Sequence, residues 1–550
     1  MSDSVVSASL SSCRAFLDGD VFVVENDRIR REFLWNGGNL ATLRIRDLTR
    51  GVAYETAERD PDCAFPGETA LASDGTFRVR EVPASTVAGE ALAVDVGFRL
   101  GGLEVRRTFT LRPGVPALSC SLRLRGRAAS ASWTSAAEAW ERRAPETMSP
   151  RLDRLPLPSP KARVTAVELF DVTDHNNNLA RTWGVLPYTV PLMLPGNILL
   201  AADRTRDAGL FVLKDGPCAA VQLANPGYDF SLTQKGLRVY GAGAEPGNLR
   251  EDSWIPCYGD TVGVSGAGDL ALLLSLKAHL ASMRRYLPRR DPMIMLNTWG
   301  DCGADRRIGE ASFNLDVTAG RRFGYHGSTR YGNLFLENRY TDWKNYYPHW
   351  TLRNLWQLSR WVQPQFLQVE FLNKWRNADR YDAGDPLAPS NVPFDYCFAV
   401  TMMGQPLAWM EASGLPEEAF ALAPLVRLYR TFQADLHAGV ILPIGSEPDR
   451  QSWTGFQSLQ EGRGHFLVFR EFCDREDEEM AVWGLEDRFL SAKCLLGHGK
   501  GFSCRVGKDG RIRFALPASL RFALYEYRLD DPAQTGGFDR GEASKRLNAT

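Results

Sequence analysis

The sequence lacks the features that mark several common classes of protein. The formal net charge is −1 over 550 residues, so it has neither the basic excess of a nucleic-acid-binding protein nor an acidic arm. No apolar run reaches the ~18 residues needed to span a membrane. Residues Met1–Leu10 lack the basic segment and sustained apolar core of a secretory signal. We therefore expect no nucleic-acid or membrane partner.

Motifs for metals, cofactors and common nucleophiles are also missing. The 10 cysteines are irregularly spaced without a C-x-x-C, which argues against a disulfide framework and a structural zinc site. The 7 histidines form no H-E-x-x-H, and no G-x-S-x-G nucleophile elbow occurs. The glycine-rich stretches at 241–243 and 497–501 lack the context of a nucleotide-binding loop. The sequence predicts no metal, no cofactor, reduced cysteines and a cytoplasmic location.

What is present is a chain of several domains, because single cores stop growing at ~250–300 residues. Residues 14–269 alternate apolar and polar positions between glycine and asparagine turns, which predicts antiparallel β-structure. Two hairpins can be identified, Arg28–Trp35 with Leu40–Arg46 and Leu92–Leu100 with Leu103–Leu111. The proline-rich stretch Pro145–Pro160 is expected to be a surface loop.

After about residue 292 the pattern changes to strands that alternate with helices, which predicts a parallel sheet. Helical spacing occurs in Leu270–Leu287, Trp343–Val362, Phe394–Met403 and Pro416–Leu436, with Gly439 as a C-cap of the last. Period-two segments return from Gly439 and predict a small C-terminal β-sandwich. The predicted domains are residues 1–291, which include a linker helix, 292–437 and 438–550.

The middle domain has polar clusters where buried strands end. Four segments show this pattern: Met293–Asp301, Asn314–Arg321, Asn333–Asp342 and Phe366–Asn373. In a (β/α) barrel these strand ends carry the chemistry, so their carboxylates should converge: Asp301, Asp316, Glu337, Asp342, Glu370 and Glu411. Half of the 14 tryptophans lie between Trp299 and Trp409. Aromatic faces beside acids and arginines suit a saccharide, although each tryptophan could equally fill a core.

Several segments resemble bacterial α-galactosidases of glycoside hydrolase family 36 and its clan: Leu296–Asp301, Asn314–Arg322, Glu337–Trp343, Gln368–Asn373, Gln405–Trp409 and Gly439–Gly445. The resemblance covers all three domains. It implies an N-terminal β-supersandwich, a central (β/α)₈ barrel and a C-terminal β domain. It also implies retaining hydrolysis of terminal α-galactosides by two aspartates, whose carboxyl groups would lie ~5–5.5 Å apart.

The resemblance assigns the acid/base to Asp342, at the end of Arg339-Tyr-Thr-Asp342. A general acid must keep its proton near neutral pH, which burial beside Trp343 and an opposing carboxylate would provide. The alternative is that Asp342 caps the N-terminus of the next helix. Residues implied to bind substrate are Trp299, Asp301, Arg321, Arg339, Glu370 and Trp409. The two arginines could equally be salt-bridge partners in the barrel.

The sequence departs from the family where the nucleophile should stand. Family members have three further strands after the first, one of which delivers the nucleophilic aspartate, but here Phe313 runs directly into Asn314. The stretch from Met293 to Leu436 is shorter than the ~200–250 residues that eight βα units need. Strands resembling the first and the fifth to eighth can be assigned, and Asp316 is the nearby candidate to replace the nucleophile. We expect an incomplete barrel and impaired hydrolysis.

Three origins of the gap stay open: a deletion in the gene, an incomplete gene model or expressed fragment, and a trimmed non-catalytic descendant. Two functions stay open as well, an α-galactosidase-type glycosidase and a non-catalytic carbohydrate-binding protein with a groove lined by Trp299, Trp409 and Arg339. The partner expected in either case is an α-galactoside or a related saccharide. Unpaired strand edges favour cover by another chain, which leaves a homo-oligomer open.

Overall fold

The computed structural model describes residues 7–56, 58–133, 149–170, 178–296, 313–315, 324–330, 332–337, 339–409 and 415–530. The chain forms two compact units, and each is built from more than one stretch of sequence. The first comprises Met1–Tyr286, Ile308–Asn338 and Trp361–Phe366. The second comprises Leu287–Arg307, Arg339–Arg360 and Leu367–Thr550. No helix in the described part is both long and apolar enough to cross a lipid bilayer.

The first unit begins with an antiparallel sheet in which each strand pairs with the next along the chain. Its strands are β1 (Ser7–Leu10), β2 (Cys13–Asp18), β3 (Val21–Glu25), β4 (Ile29–Trp35), β5 (Leu40–Asp47) and β6 (Val52–Glu55). The predicted hairpin of Arg28–Trp35 and Leu40–Arg46 is confirmed, because β4 and β5 pair in antiparallel register with Trp35 opposite Leu40.

A second sheet of this unit has nine strands in the order β13–β12–β15–β16–β19–β10–β9–β8–β7. They are β7 (Ser73–Val82), β8 (Ala91–Leu100), β9 (Leu103–Leu111), β10 (Ala117–Gly126), β12 (Arg163–Leu169), β13 (Ala180–Val185), β15 (Ile198–Asp203), β16 (Ala208–Asp215) and β19 (Ile255–Ser265). The predicted hairpin of Leu92–Leu100 and Leu103–Leu111 is confirmed in β8 and β9. Gly101 makes its turn possible with a φ of +56°, which glycine adopts without steric cost.

Apolar residues of these two sheets share one core. Phe22 of β3 stacks on Phe77 of β7 with ring centroids 4.5 Å apart, and Phe33 of β4 lies 5.2 Å from Phe109 of β9. Successive side chains of a strand point to opposite faces, so the residues between them face away from the core. The period-two pattern in the sequence therefore corresponds to an antiparallel sandwich.

A third sheet of the first unit corrects the prediction for Pro145–Pro160. It has the order β11–β18–β17–β14, with β11 (Arg151–Leu155), β14 (Leu192–Leu194), β17 (Phe230–Thr233) and β18 (Gly236–Tyr240). The expected surface loop is wrong for Arg151–Leu155, because this strand is buried and pairs with β18. Its Asp153 accepts hydrogen bonds from both terminal nitrogens of Arg31, at 2.8 and 2.7 Å. The charges that suggested exposure are neutralised inside the core.

Helix α1 (Asp269–Met283) follows β19 and confirms the predicted helix at Leu270–Leu287. Directly after it, Arg284 donates to the carbonyls of Thr329, at 2.9 Å, and Gly332, and to Asn333 Oδ1, at 2.9 Å. These acceptors belong to a short segment with helix α2 (Tyr325–Ser328) and the parallel strands β21 (Phe313–Leu315) and β22 (Gly332–Phe335). Single-turn 3₁₀ helices of this unit span Ala219–Val221, Pro246–Asn248 and Pro364–Phe366.

The second unit contains a parallel sheet in the order β20–β24–β23, formed by β20 (Met295–Leu296), β23 (Leu367–Leu372) and β24 (Gln405–Trp409). The first strand of the predicted parallel region thus pairs with the last. Two glutamines fix the approach to β20. Gln405 Oε1 accepts from the Met293 amide at 2.8 Å, and Gln433 Nε2 donates to the Met293 carbonyl at 2.9 Å.

The helices of this unit are α3 (Pro348–Ser359), α4 (Phe394–Val400) and α5 (Ala423–Ala438), with 3₁₀ helices at Ala378–Arg380, Pro389–Asn391 and Glu417–Leu422. The first two lie inside the predicted helical stretches but are shorter than them, whereas α5 begins seven residues after Pro416 and ends two residues after Leu436. The first begins only at Pro348, because a turn occupies residues 341–344. Gly439 is the C-cap of α5 as predicted, although its φ of −82° is not the left-handed value expected of a capping glycine.

The C-terminal part of the second unit is an antiparallel sheet in the order β25–β26–β27–β32–β29–β30, accompanied by the pair β28–β31. Its strands are β25 (Val440–Gly445), β26 (Trp453–Gln460), β27 (Arg463–Arg470), β28 (Asp477–Ala481), β29 (Phe489–Gly497), β30 (Phe502–Arg505), β31 (Arg511–Ala515) and β32 (Arg521–Leu529). Their inward residues form one apolar core. The β-structure predicted after Gly439 is confirmed.

Candidate active site

The residues predicted to form the site fall into two groups. Trp299, Asp301, Asp316, Arg321 and Glu411 lie outside the described residues, as does the side chain of Trp409. The structure therefore describes the remaining candidates: Glu337, Arg339, Asp342 and Glu370. Glu337 follows β22 in the first unit and is fully buried. The other three belong to the second unit.

The structure brings Arg339 and Glu370 together. The backbone N–H of Arg339 donates to Glu370 Oε1 at 3.1 Å, and the guanidinium carbon of Arg339 lies 5.5 Å from the ring centroid of Trp350 in α3. Arg339 is 0% exposed and Glu370 is 1% exposed. The carboxylate of β23 thus fixes the backbone of Arg339, the residue that leads into the turn bearing Asp342.

Asp342 occupies an exposed position on this turn. The turn closes when the Lys344 amide donates to the Thr341 carbonyl at 3.2 Å, and Lys344 has a left-handed φ of +58°. Asp342 is exposed, and the neighbouring Trp343 is 58% exposed. The predicted burial of Asp342 beside Trp343 is wrong, because a tight turn directs both side chains outward. The helix-capping alternative is also wrong, since the N-cap of α3 is Tyr347.

Polar side chains around the turn hold its shape. Asn345 Oδ1 accepts from the Tyr340 amide at 2.7 Å, and Asn377 Nδ2 donates to Thr341 Oγ1 at 3.1 Å. Arg380 Nη1 donates to the Asp342 carbonyl at 3.0 Å. Sequence reasoning missed these residues, although asparagine beside a predicted strand end is a turn signal that could have pointed to Asn345.

Trp343 does not have its predicted role, which was to cover the carboxylate of Asp342. Its ring centroid lies 4.9 Å from that of Tyr340, so the two aromatic side chains form a pair next to Asp342. Because most of the indole is exposed, it offers an apolar face at the surface rather than cover for the carboxylate. Such a face can stack on the apolar side of a sugar ring.

The loop after β23 is fixed by polar contacts of its own. Asn373 Oδ1 accepts from the amides of Trp375 and Arg376, at 3.1 and 3.2 Å. Lys374 Nζ donates to the carbonyl of Val392 at 2.6 Å. The hydroxyl of Tyr381 donates to the Tyr346 carbonyl at 3.1 Å. The strand end that presents Glu370 is therefore followed by a braced loop.

Two titratable rings of this region are neutral at physiological pH. Burial lowers the pKa of His349, the second residue of α3, to about 4. Burial also raises the pKa of the Tyr381 hydroxyl above its usual value. Among the described residues, the nine cysteines are free thiols and no three His, Cys, Asp or Glu side chains cluster as metal ligands do. The side chains that remain for chemistry are carboxylates, an arginine and aromatic rings.

Comparison with known proteins shows the fold. No protein-family model and no curated protein sequence matches the chain. Several solved structures match the fold of the chain. The family 36 α-galactosidase AgaB of Geobacillus stearothermophilus superposes with a TM-score of 0.59 at 10% identity, covering 96% of this chain and 100% of that one. AgaA of the same organism, in complex with raffinose, gives 0.58 at 10% identity and covers 93% and 100%.

The α-galactosidase of Lactobacillus brevis gives a TM-score of 0.56 at 8% identity, covering 93% of this chain and 98% of that one. The chain thus has the fold of the α-galactosidase structures of glycoside hydrolase family 36. The resemblance inferred from the sequence is confirmed at the level of the fold.

Proposed function

We propose that this chain is a glycoside hydrolase of the α-galactosidase type, that it binds a terminal α-galactoside or a related saccharide, and that its hydrolytic turnover is impaired. The observation that carries the proposal is the shared fold, which extends over more than nine-tenths of the chain. The matching AgaA structures hold raffinose and stachyose, which supports a saccharide as the ligand.

The connectivity of the parallel strands supports an incomplete barrel. The strand β20 pairs in parallel with β24, which is the pairing of the first and last strands in a closed (β/α) barrel. Only residues 297–312 separate β20 from β21 in the sequence. Since a single βαβ unit takes ~30 residues or more, this stretch is too short for three further units. This stretch therefore has no room for the strand that delivers the nucleophile in the family.

The roles we propose follow from exposure and from the resemblance. Asp342 is the acid/base candidate, since it is exposed to solvent and a ligand can reach it. Arg339 and Glu370 are proposed to position the turn, because complete burial keeps both from a ligand. Trp299, Asp301, Arg321 and Trp409 remain proposed substrate contacts and Asp316 the proposed replacement nucleophile, all on the resemblance alone.

A specific observation favours the second candidate function, carbohydrate binding without catalysis. A general acid works best in a desolvated setting that retains its proton, whereas Asp342 stands on an exposed turn. The same turn presents Trp343 with 58% of its surface exposed. An exposed indole beside a carboxylate can bind a sugar by stacking and hydrogen bonding without breaking a bond.

Two measurements on the purified chain test the proposal. Hydrolysis of an aryl α-galactoside with enzyme in excess should stay near background, and calorimetry should detect raffinose binding. Trp343→Ala should weaken that binding by roughly 3- to 10-fold, because an aromatic contact contributes ~0.5–1.5 kcal/mol. Phe489→Ala, at another exposed aromatic of the second unit, is the matched control.

Each part of the proposal can fail separately. A burst of aryl release that Asp316→Ala abolishes would show an intact retaining mechanism and overturn the impairment. Absence of any interaction with raffinose would overturn the saccharide-binding function itself. Equal affinities for the Trp343→Ala and Phe489→Ala variants would remove the turn from the binding site.

A further inference from the structure

A cleft of about 430 Å³ opens on the outer face of the nine-stranded sheet in the first unit. Val94 and Val96 of β8 point into the core, so the alternating residues Asp95 and Gly97 face outward into the cleft. Its other walls come from β7, β9, β10 and Trp254, the residue that precedes β19. The volume falls in the range of small-ligand sites, ~300–1,000 Å³.

A glycine keeps the cleft open. Gly97 of β8 lies opposite Thr76 of β7 and Arg106 of β9 in the antiparallel register. A Cβ atom at Gly97 would come within 2.8 Å of Thr76 Oγ1, so a larger residue would fill the space between the strands. The floor of the cleft therefore has no side chain at Gly97, and the Thr76 hydroxyl beside it can form hydrogen bonds.

Two carboxylates of the cleft are already engaged by the protein. Glu104 lies between Arg125 and Arg99, at 3.0 Å from the latter, and these partners lower the pKa of its carboxyl group. Asp95 accepts from Thr108 Oγ1 at 2.6 Å and lies 3.5 Å from Arg80 Nε. Both carboxylates are therefore already paired with arginines of the protein.

Two arginines of the cleft form no ion pair with a carboxylate in the part of the chain that the structure describes. Within the described chain no carboxylate lies in ion-pair distance of Arg78 or Arg106. The guanidinium carbon of Arg106 is 4.2 Å from the ring centroid of Trp254, and that of Arg125 is 4.8 Å from it. The indole orients the Arg106 guanidinium, whose N–H groups can then donate in pairs to a planar carboxylate.

We propose that this cleft binds a saccharide bearing a carboxylate, of the uronate type. Arg106 and Arg78 would bind the carboxylate, while Thr76 and Asp74 would form hydrogen bonds with the hydroxyl groups. A hydroxyl both donates and accepts hydrogen bonds, which matches a lining of mixed polar groups. The cleft lies wholly within residues 74–254, so this site does not depend on the function proposed above.

Calorimetry of the intact protein with methyl glucuronoside tests the site, with its uncharged methyl ester and inorganic phosphate as comparison ligands. We expect the glucuronoside to bind, the ester to bind at least about tenfold more weakly, and phosphate to give no signal. Excess raffinose should not displace the glucuronoside, which distinguishes this cleft from a galactoside site.

Variants then assign the binding to the cleft. Arg106→Gln and Arg78→Gln should each weaken binding by about tenfold or more, because a hydrogen bond to a charged group is lost. Arg123→Gln is the matched control, since Arg123 is an exposed arginine opposite Arg106 in β10 that does not line the cleft. Unchanged melting temperatures show that the variants fold.

Four results would overturn the proposal. The first is no binding of the glucuronoside, and the second is equal binding of the ester or of phosphate, which would remove the requirement for a sugar carboxylate. The third is an affinity of the Arg106→Gln and Arg78→Gln variants that equals that of Arg123→Gln. Displacement by raffinose would likewise place the ligand elsewhere.

Discussion

At the scale of single residues, the core of the first unit holds charges that compensate one another. Burial by itself would raise the pKa of Asp153, but Arg31 and Arg107 hold it well below its usual range. Burial and the neighbouring Asp153 raise the pKa of Asp260 well above its usual range. Three buried carboxyl groups, those of Asp62, Asp153 and Asp260, therefore share the site with the two arginines.

Asp153→Ala should lower the free energy of unfolding of the first unit by ~3–5 kcal/mol, because it removes the nearest carboxylate from two buried guanidinium groups. Urea unfolding at neutral pH measures the loss. Glu55→Ala removes a partly exposed pair, in which Glu55 lies 3.7 Å from Arg44, and should cost less than ~1 kcal/mol. Equal costs for the two variants would contradict the prediction.

A buried lysine in α1 makes stability depend on pH. Lys277 donates from Nζ to the Val362 carbonyl, and burial lowers its pKa to about 7. In the unfolded chain a lysine keeps its proton up to about pH 10.4. Between these values the unfolded state binds more protons than the folded state, so the contribution of Lys277 to stability rises with pH.

Lys277→Met should remove this dependence. The melting temperature of the wild-type protein, relative to that of the variant, is expected to increase steadily from pH 7 to about pH 9.5. Thermal unfolding followed by circular dichroism across this range checks the slope. Two curves that stay parallel would show that Lys277 does not lose its proton in the folded state.

At the scale of elements, local pattern predicted most of the fold. The hairpins of the first sandwich, the helix after β19 and the strands of the parallel region all follow from periodicity and turn residues. The sequence could not predict β11, because its charges are neutralised by Arg31, 122 residues away. It could not predict the exposure of Asp342 either, since that depends on a turn closed by Lys344 and braced by Asn377.

Gly439 lies at the predicted end of the helix, but the physical reason for a glycine there differs from the predicted one. Its backbone at the end of α5 is not left-handed, so helix capping does not require a glycine here. A Cβ atom would instead collide with Ser458 Oγ and come within 2.8 Å of the Leu459 carbonyl oxygen in β26. Close packing of the helix end on the C-terminal sheet explains the residue.

Gly439→Ala should therefore destabilise the second unit by ~1–3 kcal/mol through overpacking. Gly184→Ala is the control, because Gly184 lies in β13 with open space around its Cβ position, and its effect should stay within ~0.5 kcal/mol. Differential scanning calorimetry of both variants distinguishes them. A melting temperature for Gly439→Ala that equals the wild-type value would show that the strand moves aside at no cost.

At the scale of the whole molecule, the chain passes between the two units several times. The main part of the first unit ends at Tyr286, but residues 308–338 and 361–366 return to complete it. Arg284 and Lys277 donate to carbonyls of these returning segments, at Thr329, Gly332 and Val362. The predicted domain of residues 1–291 would therefore lack these three acceptors of Arg284 and Lys277.

A fragment of residues 1–291 should melt several degrees below the same unit in the intact protein, because each lost hydrogen bond of a buried donor costs ~1–3 kcal/mol. Adding a fragment of residues 292–550 should restore part of the loss. In the intact protein, Arg284→Met should reproduce the direction of the effect. A fragment as stable as the intact unit would establish residues 1–291 as a domain that folds independently.

The interleaving of the two units also bears on how such a gene can recombine. A crossover near the codons for residues 286–291 would join a β-rich N-terminal half to returning segments from another parent. The daughter protein would fold only where those segments still offer the carbonyls that Arg284 and Lys277 need. We therefore expect the N-terminal sandwich and the returning segments, the last of which ends at Phe366, to be inherited together.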